Sequence, residues 1–156
     1  MRLLPMLLLF ALLAACGGND GISDDSTRDD QGTIVEGGDV GVFVLEVGDC
    51  FDDPAGDAVQ VVTVEAVPCD QPHDNQVAAK FDLPDGDFPG DDEVLAQAVT
   101  GCIDRFENAV GEPYETSRLD VLPMYPTKDG WDSGDHEVIC NVYNLDLSKL
   151  TSSVVS

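Results

Sequence analysis

The stretch "DDEVLAQAVTGCIDRFENAV", residues 91–110, separates this chain from an all-β protein. Leu95, Val99, Cys102 and Phe106 recur at i, i+4, i+7 and i+11, a spacing that places them on one face of a helix. Asp91, Asp92 and Glu93 suit the positive end of its dipole, and Gly111 followed by Pro113 stops it. The flanking sequence has the other period. "AVQVVTVEAV" (Ala58 to Val67) nearly alternates, "VFVLEV" (Val42 to Val47) is a β-branched run, and "NQVAAKFDL", "SRLDVLPMY" and "HEVICNVYNLD" read as further strands. "DDPAGD", "PDGDFPGDD" and "PTKDGWDSGD" are rich in the residues of turns. About five mainly antiparallel strands and one helix predict a small α+β domain over residues 42–147.

The cysteines constrain that domain further. Cys50, Cys69, Cys102 and Cys140 form an even set, which in an exported small domain favours two disulfides. Three connectivities are open. The preferred one joins Cys50 to Cys69 around the first hairpin and Cys102, on the helix stripe, to Cys140 between Ile139 and Val142 of the last strand.

Export itself is read from the other end of the chain. Arg2 precedes an apolar run from Leu3 to Ala15, a signal-peptide pattern shorter than the roughly 20 residues of a membrane-spanning helix. "LAAC" (Leu13 to Cys16) looks like a bacterial lipobox, so residues 1–15 are expected to be removed and Cys16 to receive a diacylglycerol. Residues 16–41, rich in Gly, Asp and Ser and without an aromatic, are expected to be a disordered acidic tether, and residues 148–156 a frayed tail. The formal net charge of −24 makes nucleic acid an improbable partner and leaves membrane attachment to the lipid.

Several chemistries can be weighed against this scaffold. Cys69 with His73 and His136 with Cys140 have loose zinc spacing, but a zinc site would strand Cys50 and Cys102, and oxidising export favours disulfides. The acidic loop Asp82 to Glu93 offers oxygens at Asp82, Asp85, Asp87 and Asp91 but lacks the register of a calcium-binding loop. A cysteine nucleophile would need a free thiol. Neither a nucleophile elbow nor a phosphate-binding loop or dinucleotide fingerprint is present. No metal or cofactor is therefore assigned, and no catalytic residue. Pro72 to Asn75 read as a turn, with His73 either holding that turn or facing a ligand.

Taken in order, "VGDCFDD", "VPCDQPHDNQVAA", "GCIDRF" and "YPTKDGWDSGDHEVICNVY" resemble the septum-formation domain family of bacterial envelope lipoproteins and membrane-anchored proteins. The resemblance covers about Val47 to Tyr143. It implies signature positions at Cys50, Cys69, Pro72, His73, Asp74, Cys102, Trp131, Gly134, Asp135 and Cys140, with His136 standing where the family often has Arg. It also implies a place at the division septum or cell wall without naming a reaction. The expected protein is thus a non-enzymatic, lipid-anchored envelope protein on the outer face of the cytoplasmic membrane, binding a protein or cell-wall partner, with His73, Asp74, Tyr125, Trp131 and Asp135 as candidate binding residues. The alternatives are a cation- or small-ligand-binding lipoprotein using His73, Asp74 and the acidic loop, or a carboxylate-based hydrolase.

Overall fold

The structure is a computed structural model that describes residues 23–54 and 61–156. The expected signal segment, Cys16 and the first residues of the Ala58 strand lie outside the described residues. A ribbon of β1 (Thr27–Arg28) and β2 (Ile34–Glu36) precedes β3 (Gly38–Gly41), β4 (Cys50–Asp52), β5 (Thr63–Val67) and β6 (Asn75–Asp82). Then come α1 (Asp91–Val110), β7 (Leu119–Met124), α2 (Lys128–Asp132) and β8 (Glu137–Asn144). The main sheet has the order β3-β5-β4-β6-β8-β7, with every neighbouring pair antiparallel. The fold is α+β, with eight strands among the described residues where about five were expected.

Alternation along β8 defines the two faces of the sheet. Val138 and Cys140 pack with Val94, Ala98, Cys102 and Trp131 under α1. Ile139 points the other way, into a cluster with Val40, Val42, Leu45, Phe51, Val64 and Val77. Cys102 is bonded to Cys140 and Cys50 to Cys69, the pairing preferred from the sequence.

The helix has the expected bounds, but its buried stripe is rotated toward Val94, Ala98, Gly101, Cys102 and Phe106. Leu95 is 40% exposed and Val99 half-buried. Close approach to the sheet is the reason. A Cβ at Gly101 would lie 2.2 Å from Cζ of Phe81, so small residues such as Ala98 and Gly101 face inward where the helix comes nearest the sheet, and Leu95 does not.

Three further expectations are corrected. Val42 to Val47 is no strand: Val42–Val44 form a single 3₁₀ turn, and β4 takes the hairpin position instead. Hydrophobic content alone cannot separate these outcomes, because the turn still buries Val42 and Leu45. The second correction concerns the tether, whose residues from Asp24 to Gly41 are built into the fold. Its aspartates fold the backbone locally, Asp29 accepting from the amides of Gln31 and Thr33, while Ile34 and Val40 enter the core. Gly38 is required there, since a Cβ would meet the Asp25 carbonyl oxygen at 2.6 Å.

The third correction is the tail. Leu150 is 2% exposed and forms an antiparallel bridge with His73, N–H to O distances being 3.0 and 2.8 Å. Gln76 holds the following residues, donating to Ser153 Oγ at 2.8 Å and accepting from the Val154 amide at 2.7 Å. The segment is a strap over the edge of the core.

Candidate binding site

A groove of about 630 Å³ opens on the sheet face away from α1. Val42 and Ile139 lie in its base, and three exposed apolar side chains surround it: Phe43 (53% exposed), Val62 (54%) and Tyr125 (41%). Local structure places each one. The 3₁₀ turn after β3 buries Val42 and leaves Phe43 outward, Val62 leads into β5, and Tyr125 follows the end of β7. Thr127 then starts α2, its hydroxyl oxygen accepting from the Gly130 amide at 3.3 Å. The turn of α2 delivers Asp129 and Asp135 to the rim, joined by Glu137 of β8. The described residues lining the groove include these three carboxylates and no Lys, Arg or His. Glu137 is partnered by Lys80 at 3.0 Å. Asp135 uses Oδ1 to accept from the Glu137 amide at 3.1 Å.

The structure separates the other candidate residues. His73 is fully buried, with Nδ1–H donating to the Gln71 carbonyl at 2.7 Å and its main chain paired to the strap. It holds the turn from inside the fold, its buried Nε2 without a hydrogen-bond partner among the described residues. Asp74 accepts from the Asp53 amide and from Lys149 Nζ, both at 3.1 Å. It borders a second, smaller concavity of about 250 Å³ with Asn75, Leu122, Tyr143 and Leu147. The same strap lysine reaches Asp52 at 2.7 Å, and the two carboxylates raise its pKa.

Trp131 is 5% exposed and does not line the groove beside Phe43 and Tyr125. Its indole N–H donates to the Gly86 carbonyl at 2.8 Å, and its ring packs edge-on to Phe88 and beside His136. It pins the acidic loop to α2. Within that loop Asp85 accepts from His136 at 2.9 Å. Among the described residues no group of three or more His, Cys, Asp or Glu side chains gathers as a metal site. The two sulfurs required by the zinc spacing are already in disulfides.

Of the five candidates, Tyr125 and Asp135 therefore share the groove while His73, Asp74 and Trp131 lie elsewhere. Phe43, Val62 and Asp129 were missed. Strand alternation would have put Phe43 on the same face as Leu45, yet Leu45 is fully buried, so the pattern held no signal for an exposed Phe43.

A sequence profile described as Septum formation matches residues 47–154, most of the chain. The chain belongs to the septum-formation family. No curated protein and no solved structure matches it. Membership points to a role in cell division or the cell envelope, and with the two disulfides it fits an extracytoplasmic protein. The septum-formation match includes the strap, in keeping with its place in the fold. It begins after Val42 and Phe43, so one wall of the groove comes from residues upstream of the matched family domain.

Proposed function

We propose that this septum-formation protein is a non-enzymatic envelope lipoprotein whose domain binds a protein or cell-wall partner through the groove beside Phe43 and Tyr125. In this reading residues 1–15 are removed on export and a diacylglycerol on Cys16 holds the protein to the outer face of the cytoplasmic membrane. One observation carries the binding role: Phe43, Val62 and Tyr125 stand exposed around a single concavity on a cross-linked frame. Exposed apolar side chains gathered at a groove mark interaction sites more often than scattered ones do. Aromatic anchors set in such a concavity commonly dominate binding energy.

The binding role is tested by placing a photo-crosslinking residue at position 43 or 125 and, as a control, at exposed position 107 on α1. Both groove positions should capture the same partner in living cells, and position 107 should not. Equal capture at all three would overturn the groove. For the anchor, Cys16→Ser should shift the protein from the membrane fraction to the soluble exported fraction. Undiminished membrane association of that variant would overturn the lipid reading.

A further inference from the structure

We infer that the groove takes an extended cationic segment of a partner protein, with an apolar anchor side chain flanked by Lys or Arg. This deepens the proposed function and rests on the groove being the binding site. Two observations limit how a segment can bind. The first is the edge of the sheet. β7 is an edge strand, and an exposed edge would ordinarily let a peptide add as another strand. Here the alternate positions are closed. The Leu119 amide donates to Ser117 Oγ at 2.9 Å, the Val121 amide to Asp120 Oδ1 at 2.8 Å, and Pro123 has no N–H. The outward amide donors of β7 are thus taken or missing, which disfavours strand addition there and leaves recognition to side chains in the adjoining groove.

The second observation is charge. Val62, Phe43 and Tyr125 offer a seat for one apolar side chain, and Asp129 and Asp135 stand on the rim with no Lys, Arg or His among the described lining residues. Lys80 is engaged by Glu137 and by the Leu45 carbonyl, at 3.0 and 2.9 Å. A carboxylate-bearing segment would meet repulsion at the rim and from a chain of net charge −24, whereas a basic one is steered toward it. Arginine has the added option of stacking on the Tyr125 ring.

The test uses the exported, lipid-free domain and three short synthetic peptides: tryptophan flanked by lysines, the same with glutamates, and the same with serines. Calorimetry measures affinity, and amide chemical shifts locate the site. The lysine peptide should shift the amides of residues 43, 62, 125 and 129 and bind at least about tenfold more tightly than the glutamate peptide. Raising salt from about 0.1 M to about 1 M, which shortens the screening length from about 10 Å to about 3 Å, should weaken it markedly. Asp129→Asn and Asp135→Asn should each weaken it about two- to fivefold, the range of exposed ion pairs. Phe43→Ser should weaken it about tenfold or more.

Equal affinity of the serine and lysine peptides at the groove would overturn the cationic preference while leaving the groove as a binding site. Binding of the lysine peptide that is indifferent to Phe43→Ser would assign it to the acidic surface at large and overturn the inference. If cellular cross-linking at position 125 succeeds but no peptide shifts the groove amides, the inference fails and the proposed function survives. If both fail, both readings fall.

Discussion

Arg28 and Asp49 make a bidentate, largely buried ion pair. The guanidinium donates twice to Asp49, both at 2.8 Å, while its Nε reaches Asp24 at 3.0 Å. Asp49 is 4% exposed and also accepts from the Glu46 amide. Such a carboxylate depends on its partner, so Arg28→Ala should cost about 3 kcal/mol, read as a lower urea midpoint. Adding Asp49→Asn should recover part of that loss, because a neutral amide leaves no charge stranded. A second residue-scale prediction concerns Tyr114. It donates to Asp120 at 2.6 Å, and that bond to a carboxylate, reinforced by burial, pushes its pKa up to about 12 from 10.0. Folding thus favours the neutral phenol. The resulting stability is fully present below about pH 10 and is lost as pH rises toward about 12. Urea midpoints of the native protein should fall more steeply over that interval than those of Tyr114→Phe.

At the scale of elements, composition misled where a few residues outweighed many. The Gly- and Asp-rich segment before β3 reads as a tether because most of it is polar, but Ile34 and Val40 are enough to dock it once β5 offers a partner for β3. The strap behaves alike: in "SKLTSSVVS" one leucine and two half-buried valines close the side of the core beside Phe106. Leu150→Ser should lower stability by about 2–4 kcal/mol and speed hydrogen exchange at the His73 amide, whose bond to the Leu150 carbonyl would be loosened. Exchange of the Cys140 amide in β8 should change only in step with global stability. By contrast, the bounds of α1 were legible because its signals are local: acids at one end and a left-handed Gly111 at the other, φ 86°. The face it buries was legible only in part: Cys102 and Phe106 are buried as expected, but the rotation that puts Val94 and Ala98 inward in place of Leu95 and Val99 depends on how near Phe81 lets the helix come.

For the whole molecule the two disulfides close sequence separations of 19 and 38 residues, and each should contribute about 3–4 kcal/mol by restricting the unfolded chain. Against a total stability of about 5–15 kcal/mol, full reduction should lower the melting temperature steeply or unfold the domain at 37 °C. A reduced and alkylated protein that melts unchanged would contradict this. The sequence by itself determined the α+β class, the long helix, an even set of four cysteines suited to two disulfides, and the family, while the pairing of those cysteines was settled by the structure. Each is written in local period, in residue spacing or in an even count of sulfurs. Only the tertiary structure decided that His73 and Trp131 turn inward, that both ends of the domain are tied in, and that Phe43 meets Tyr125 across a groove. Those outcomes rest on contacts between residues far apart in the chain, where burial depends on which surface arrives opposite and leaves no period in the sequence.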